Sequence, residues 1–268
     1  IDWESATELH EICSRVDVIV HAAGMNAQDC AANPKKALSF NGNTTATLVS
    51  SALKAGVKKF VYLSTAHVYK DPLVGRISEK SLTTNTHPYA TSHLAGEIAV
   101  LEASRRNEID GIVVRLSNTF GAPVHSNVDC WKLLINDLCR QAVTSGELIL
   151  KTTGSQVRDF VPLTDVCRAI EYLIQSDTKL LNTSVMNLGS GVSCSIIEIA
   201  NLVQNCCMDY LNIEPKIIRP IANCAERKNI LNFEMTWLCP SNFKFIGDYR
   251  SEIEKLLYFC QIHFSKKN

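Results

Sequence analysis

Three short runs of apolar residues constrain most strongly what this chain can fold into. They occupy residues 16–22, 59–64 and 111–116, and each ends in small, polar or flexible residues. Continuous apolar runs of this length are typical of parallel strands that are buried on both faces. Apolar residues at helical spacing lie between them, at 41–55 and 88–106. This alternation predicts an α/β fold with a doubly wound parallel sheet.

After Gly121 the alternation becomes less regular, which indicates a second and smaller lobe. We predict that residues 1–121 form the sheet domain and that residues 122–268 form mainly a mixed α/β lobe, with a strand at about 185–189 returning to the main sheet. In this second part the pattern predicts helices at 131–144, 165–175, 196–207 and 252–264, and strands at 147–151 and 212–220.

Charge and hydropathy exclude several classes of function. The 268 residues include 27 Lys+Arg and 27 Asp+Glu, so no broad basic face is expected and nucleic acid is not a predicted partner. No apolar run reaches the roughly 18 residues that a membrane-spanning helix needs, so no membrane association is predicted. Hydrophobic residues make up 46% of the chain, which is enough for a sizeable core.

The 11 cysteines are scattered along the chain, and no two of them form a CxxC pair. A secreted disulfide framework or a structural zinc site has closer and more regular spacing. We therefore predict reduced, buried thiols in a cytoplasmic protein, with no metal site. The acidic residues that follow Ile1 also differ from the basic start of a signal peptide.

Polar residues follow the predicted strands, at the edge where open parallel sheets bind their ligands. Thr65 follows the second strand, and Tyr89 and His93 lie four positions apart at the start of the next helix. Residues at this spacing share one face of a helix. A phenol beside a hydroxyl and a basic side chain is suited to proton transfer on an alcohol or a carbonyl.

Seven segments in a fixed order resemble a known family. They are HAAG at 21–24, Asn41 ahead of a helix, KKFVYLSTAHVY at 58–69, PYATSH at 88–93, VVRLSNTFGAP at 113–123, QVRDFVPLTDV at 156–166 and NLGSG at 187–191. This order resembles the extended short-chain dehydrogenase/reductase family of the NAD-dependent epimerase/dehydratase type, and most of all its nucleotide-sugar epimerases and reductases, such as UDP-glucose 4-epimerase. The resemblance implies a Rossmann-like fold, NAD or NADP as cofactor and a nucleotide sugar as substrate, and it leaves a homodimer open.

The resemblance also implies roles for individual residues. Thr65 matches the catalytic Ser/Thr that hydrogen-bonds the reacting sugar oxygen, and Tyr89 matches the catalytic tyrosine. Asn118 and Arg158 match residues that bind the substrate diphosphate, a role that suits arginine because its fork of donors pairs with phosphate oxygens. His93 occupies a position that is both catalytic and cofactor-binding. The positions that match the cofactor site are Ala22, Ala23, Gly24, Asn41, Leu63, Ser64, Tyr89 and His93.

Two departures from the family pattern bear on activity. The last position of the family's Tyr-x-x-x-Lys motif holds His93, and a neutral histidine lowers the pKa of a nearby tyrosine much less than a lysine does. We therefore expect weakened or pH-shifted chemistry. The family's glycine-rich phosphate turn does not precede the first predicted strand, so we expect the chain to be a fragment that lacks about 50–60 residues, or a degenerate copy.

The expected function is hydride transfer at a sugar carbon, with Tyr89 as acid or base, in an NAD(P)-dependent nucleotide-sugar epimerase or 4-keto reductase. A 4,6-dehydratase is less favoured because Ala66 and His67 stand where its Asp-Glu pair would be. The alternative is a truncated or degenerate member, a pseudoenzyme with weak cofactor binding and no turnover. Arg158-Asp159 also fits a local ion pair, and His67 also fits an ordinary polar side chain.

Overall fold

Strands and helices alternate along most of the chain, as the sequence pattern predicts. The computed structural model describes residues 1–177, 181, 183–221, 229–239 and 241–265. Its strands are β1 (Val18–His21), β2 (Lys59–Thr65), β3 (Gly75–Ile77), β4 (Asp110–Leu116), β5 (Asn118–Phe120), β6 (Glu147–Ile149), β7 (Val157–Pro162), β8 (Val185–Leu188), β9 (Ser193–Ser195), β10 (Lys216–Ile218) and β11 (Leu231–Phe233). Its α-helices are α1 (Ala6–Cys13), α2 (Ala27–Ala32), α3 (Pro34–Ala37), α4 (Thr45–Ala55), α5 (Pro88–Arg105), α6 (Leu134–Ser145), α7 (Leu163–Gln175), α8 (Ile196–Cys206) and α9 (Tyr249–Phe264).

One parallel sheet carries the predicted strands in the order β1-β2-β4-β8. In this register Val20 lies opposite Val61, and Tyr62 lies opposite Val113. β8 comes far along the chain but pairs with β4, which confirms the predicted return to the main sheet. Because all four strands are parallel, their carboxyl ends open on the same edge.

Helices cover both faces of this sheet. Phe60 and Tyr62 of β2 face one side, where they pack in one buried cluster with residues of α1, α4 and α5. Val61 faces the other side, where Ala169 and Leu173 of α7 belong to a second cluster. Alternate residues of one strand are thus buried on opposite sides, which is why the run is apolar without interruption. The fold is the predicted Rossmann-like, doubly wound α/β fold.

A second set of elements builds the mixed α/β lobe. Helices α6, α8 and α9 pack around a separate core that includes Leu138, Val203 and Leu256. Strands β5, β7 and β9 form a three-stranded sheet, and β6 pairs with β10. β3 belongs to the first part of the chain but pairs with β11 near its end, so the two parts share this small ribbon.

Two helices begin later than the sequence pattern predicts. The helix predicted from residue 41 is α-helical from Thr45, because Leu38–Thr44 is wound as a π-helix. The helix predicted from residue 131 begins at Leu134. Gly56 ends α4 in the left-handed region, at a φ of 77°, which glycine adopts at little cost.

The cysteines of the described ranges are free thiols. Six of them are buried, namely Cys13, Cys30, Cys139, Cys206, Cys207 and Cys260. Across the same part of the chain, no helix combines the length and the apolar content that crossing a lipid bilayer requires.

Candidate active site

Tyr89 and Thr65 come together at the carboxyl edge of the sheet. Thr65 is the last residue of β2, and its hydroxyl accepts a hydrogen bond from the His67 N–H at 3.2 Å. Helix α5 begins at Pro88, a residue suited to the first helical position, and Nδ1 of His87 accepts from the Tyr89 N–H at 3.2 Å. Tyr89 therefore lies in the first turn of α5, where its phenol is close enough to the Thr65 hydroxyl to be influenced by it.

The surroundings of Tyr89 favour its neutral phenol. Burial raises the pKa of Tyr89 above its usual value, and the nearby Thr65 hydroxyl opposes this shift without cancelling it. The Tyr89 ring meets the His93 ring edge to face, with centroids 4.6 Å apart. Tyr89 therefore holds its proton at neutral pH.

His93 lies beside Tyr89 but supplies no positive charge at neutral pH. The side chain is buried, and its Nδ1 is hydrogen-bonded to the Tyr62 hydroxyl at 3.1 Å. Burial lowers the pKa of His93 to about 4, and the nearby His21 adds to this effect. The imidazole is therefore neutral, and it does not reproduce the fixed cation that a lysine would provide here.

The segment after β1 packs against His93 and Asn41. A Cβ atom built at Gly24 would lie 3.5 Å from Cε1 of His93 and 3.6 Å from Oδ1 of Asn41, so the backbone passes directly beside both side chains. Oδ1 of Asn41 accepts from the Met25 N–H at 2.8 Å, and its Nδ2 donates to the Ser92 hydroxyl at 3.0 Å. The Asn41 amide thus ties this segment to α5.

The other residues expected at the cofactor site differ in exposure. Ala22 is exposed, whereas Ala23 and Leu63 are half-buried. Ser64 is buried, and its hydroxyl donates to Oε1 of Glu97 at 2.5 Å. The Ser64 side chain is therefore engaged inside the fold.

A buried ion pair behind the site was not predicted from the sequence. Nε and Nη2 of Arg115 donate to both carboxylate oxygens of Glu97, and the shortest of these contacts is 2.6 Å. The same guanidinium lies 4.9 Å from the ring centroid of Tyr69, whose hydroxyl donates to Oδ1 of Asn187 at 2.6 Å. These contacts join α5 to β4 and β8. The signal that could have revealed them is a charged residue within an apolar strand, since such a residue is rarely buried without a partner.

A cavity of about 390 Å³ adjoins the site, and its lining includes His67, Asn118 and Arg158. This volume lies within the range of small-molecule sites. The ring of His67 is 6.4 Å from the ring of Tyr89, centroid to centroid, which places the cavity next to the tyrosine. The structure thus gathers the predicted substrate residues Asn118 and Arg158 around one space.

Arg158 and Asp159 do not form the local ion pair that was the alternative for them. The Asp159 carboxylate is buried and accepts hydrogen bonds from the Ser117 hydroxyl at 2.6 Å and the Gly191 N–H at 2.8 Å. Burial raises the pKa of Asp159 to about 6, although these donors oppose the shift. Arg158 lines the cavity instead, where its Nη2 lies 3.5 Å from Oε1 of Gln156.

Sequence comparisons point to one family. The family model described as the NAD dependent epimerase/dehydratase family matches residues 1–189. The low-salt glycan biosynthesis protein Agl12 of Haloferax volcanii is 25% identical over 189 residues, which are 70% of this chain and 58% of that protein. The UDP-glucose 4-epimerase of Mycoplasma genitalium is 27% identical over 246 residues, covering 82% of this chain and 71% of the epimerase. The match to the first of these relatives spans less than two thirds of its length.

Solved structures agree on the fold. The structure of RMD from Pseudomonas aeruginosa, complexed with NADPH, gives a TM-score of 0.81 at 20% identity and covers 97% of this chain and 87% of that one. Identity at this level supports the fold alone. The family model, in contrast, covers most of the chain and includes the residues gathered at the carboxyl edge of the sheet. The chain therefore belongs to the NAD-dependent epimerase/dehydratase family.

Proposed function

We propose that the chain forms the catalytic part of an NAD(P)-dependent nucleotide-sugar epimerase or 4-keto reductase in which Tyr89 is the acid–base residue. The meeting of the Tyr89 phenol with the Thr65 hydroxyl, where β2 ends and α5 begins, is the observation that carries this proposal. Two hydroxyl groups so placed can hold the oxygen of an alcohol or a ketone while a proton moves. The similar UDP-glucose 4-epimerase acts, by its name, on a nucleotide sugar, which supports this class of substrate.

On one side of Tyr89 the residues fit the nicotinamide ribose of a dinucleotide. The exposed backbone at Ala22 and Gly24 follows the end of a parallel strand, where nucleotides approach closely. Nε2 of His93 lies 3.7 Å from a Cβ built at Gly24, so the imidazole can donate to or accept from a ribose hydroxyl. Leu63 adds an apolar contact at the end of β2. When bound, NAD or NADP supplies the hydride acceptor or donor.

On the other side of Tyr89, Arg158 and Asn118 would hold the substrate diphosphate. Both line the cavity of about 390 Å³. The planar guanidinium of Arg158 matches the spacing of phosphate oxygens and remains charged at any physiological pH. Nδ2 of Asn118 donates to the Asp159 carbonyl at 2.9 Å, which orients the amide at the cavity wall.

Tyr89 moves the proton at the reacting sugar oxygen. During oxidation of the sugar alcohol, its phenolate takes the hydroxyl proton, and during reduction of a ketone, its phenol returns one. Because burial raises the pKa of Tyr89 and His93 is neutral, the phenol prevails at neutral pH. The proton donor for reduction is therefore present at neutral pH. Oxidation needs the phenolate, so its rate rises with pH.

Replacing Tyr89 with Phe removes the proton donor and keeps the ring. We expect kcat/KM to fall about 100-fold or more, the usual contribution of a positioned acid–base group. The full gene product would be assayed with UDP- and dTDP-sugars and with NAD, NADP and their reduced forms. Nicotinamide absorbance reports net reduction, and proton NMR of the sugar reports epimerisation. Tyr258→Phe, at an exposed tyrosine, is the matched control. Full activity in Tyr89→Phe would refute the proposed role.

A degenerate member without turnover is the second candidate. The neutral, buried His93 in the place of the family's lysine favours it. The same assay separates the two candidates, because a folded protein that converts none of the nucleotide sugars with either cofactor would support the degenerate member.

We also propose a homodimer and a cytoplasmic location. A shallow groove between α4 and α5 is lined by Ala46, Leu53 and Ile98, and Ile98 is 68% exposed. The corresponding helices of a second copy would cover these apolar side chains. The cytoplasmic location is supported by the free cysteines, which persist in a reducing compartment.

A further inference from the structure

His67 is held rigidly at the wall of the cavity by its own backbone. It lies in the single 3₁₀ turn Ala66–Val68 that follows β2. Its N–H donates to the Thr65 hydroxyl at 3.2 Å, and its carbonyl accepts from Nδ2 of Asn85 at 2.7 Å. These two contacts leave the imidazole at the cavity that Arg158 also lines.

The imidazole of His67 has hydrogen-bonding capacity that the described part of the chain does not use. Within the ranges that the structure covers, no backbone or side-chain group is hydrogen-bonded to its ring nitrogens. A neutral imidazole offers one donor and one acceptor. Because the His67 side chain is half-buried, its ring nitrogens are accessible to water or to a ligand in the cavity.

Burial and the groups around His67 favour its neutral imidazole. Burial is the main cause that lowers the pKa of His67. Asp71 opposes this shift, whereas Arg158 and His87 add to it. Tyr89, whose ring also faces His67, is itself neutral at neutral pH. The cavity therefore presents an uncharged acceptor next to a permanent cation.

We propose that the neutral imidazole of His67 binds a hydroxyl of the sugar, so that His67 is the residue by which this site distinguishes a nucleotide sugar from a bare nucleotide diphosphate. The inference rests on the proposed function. Arg158 has the charge for the diphosphate, and Thr65 with Tyr89 holds the reacting oxygen. His67, 6.4 Å from Tyr89, is then placed to reach a different hydroxyl of the same sugar. Protonation removes its acceptor and adds a second cation beside Arg158, so a sugar hydroxyl that donates to the ring loses this contact in acid.

Calorimetric titration of the full gene product with NAD present tests the proposal. The ligands are UDP-glucose and dTDP-glucose, each compared with UDP or dTDP. At about pH 7.5, His67→Phe should weaken binding of the nucleotide sugar about 3- to 10-fold, the loss of one hydrogen bond, and leave binding of the free diphosphate within about twofold. His67→Asn, which keeps a donor and an acceptor, should restore most of the affinity. His125→Asn, at an exposed histidine, is the matched control.

The pH dependence supplies a readout that a purely structural role would not affect. Between about pH 7.5 and pH 5, wild-type protein should lose more affinity for the nucleotide sugar than His67→Asn does, because the Asn amide does not titrate and protonation of Asp159 affects both proteins alike. If the sugar binds and neither His67 variant changes its affinity or its pH dependence, the inference is wrong and the proposed function stands. If the wild-type protein binds no nucleotide sugar and no free diphosphate, both fail.

Discussion

Tyr89 is flanked by two imidazoles, and its reactivity depends on their being neutral. The His93 ring lies 4.6 Å from it, on the side of the proposed cofactor site, and the His67 ring lies 6.4 Å from it, on the side of the cavity. Burial lowers the pKa of His93 to about 4, so this imidazole gains a proton only in strong acid. Neither neighbour therefore stabilises the phenolate of Tyr89 at neutral pH.

His93→Lys places a cation where the imidazole lies. A positive charge within reach lowers the pKa of an acid by about 1–3 units, so the pH at which Tyr89 becomes a phenolate should fall by that amount. We expect the oxidation rate to begin its rise at a correspondingly lower pH than in wild type. The measurement is the rate of nicotinamide reduction as a function of pH. His125→Lys controls for a lysine added elsewhere, and an unchanged rate and profile in His93→Lys would disprove the argument.

Some residues of the site could be predicted from the sequence and others could not. Thr65 lies at the end of a strand, and Tyr89 lies at the start of the helix that comes next in the predicted sheet domain. Local spacing therefore places both residues at the same edge of the sheet. Glu97 and Arg115 form their ion pair between a helix and a strand that the spacing does not bring into register. The pairing depends on how α5 lies across the sheet, and a local sequence pattern does not predict that orientation.

The π-helical segment Leu38–Thr44 shows how elements position the site. It carries Asn41, whose amide holds the segment after β1 against Ser92 of α5. A π-helix is uncommon and often marks a functional site. The close approach of α5 depends on Gly96, because a Cβ there would lie 2.7 Å from the Asn41 carbonyl and 2.6 Å from the Tyr62 hydroxyl.

Gly96→Ala should therefore destabilise the fold. The added methyl group meets backbone that cannot move independently of the π-helical segment, and overpacking of this kind costs about 1–3 kcal/mol. Urea denaturation measures the loss in the free energy of unfolding. Thr91→Ala, at an exposed position of the same helix, should change it by about 0.5 kcal/mol or less. Equal stability of Gly96→Ala and wild type would show that α5 can shift without cost.

The elements themselves were predictable to different degrees. The strands of the main sheet and α5 agree with the structure to within about two residues, as their periodicity is strong. Several short elements were not predicted, namely α1, α2, α3, β3, β5, β7, β9 and β11. β7 lies in the segment that carries Arg158, where polar residues interrupt the apolar pattern, because one side of this strand borders the cavity.

For the whole molecule, the site depends on the lobe as much as on the sheet. The cavity has lining residues from the turn that follows β2, from β7 and from β11, so three distant parts of the chain must meet to form it. The proposed homodimer would use the groove between α4 and α5, whose lining residues are different from those of the cavity.

Ile98→Glu tests the homodimer. A charge in the groove between α4 and α5 would have to be buried on association, which is costly without a partner. We expect wild-type protein to behave as a dimer and Ile98→Glu as a monomer in size-exclusion chromatography with light scattering. Ile262→Glu, at a comparably exposed position on α9, should remain dimeric. A monomeric wild type, or a dimeric Ile98→Glu, would contradict the proposal.

The sequence alone predicts the order of apolar strands and helices. It also predicts that Thr65 and Tyr89 meet, because both results depend on periodicity along a single segment. The neutrality of His93, the buried Glu97–Arg115 pair and the free imidazole of His67 in the cavity emerge only on folding. Each of these depends on how much water and charge remain around a side chain once distant segments have packed against it. The sequence pattern of one segment does not determine that environment, because other segments supply it.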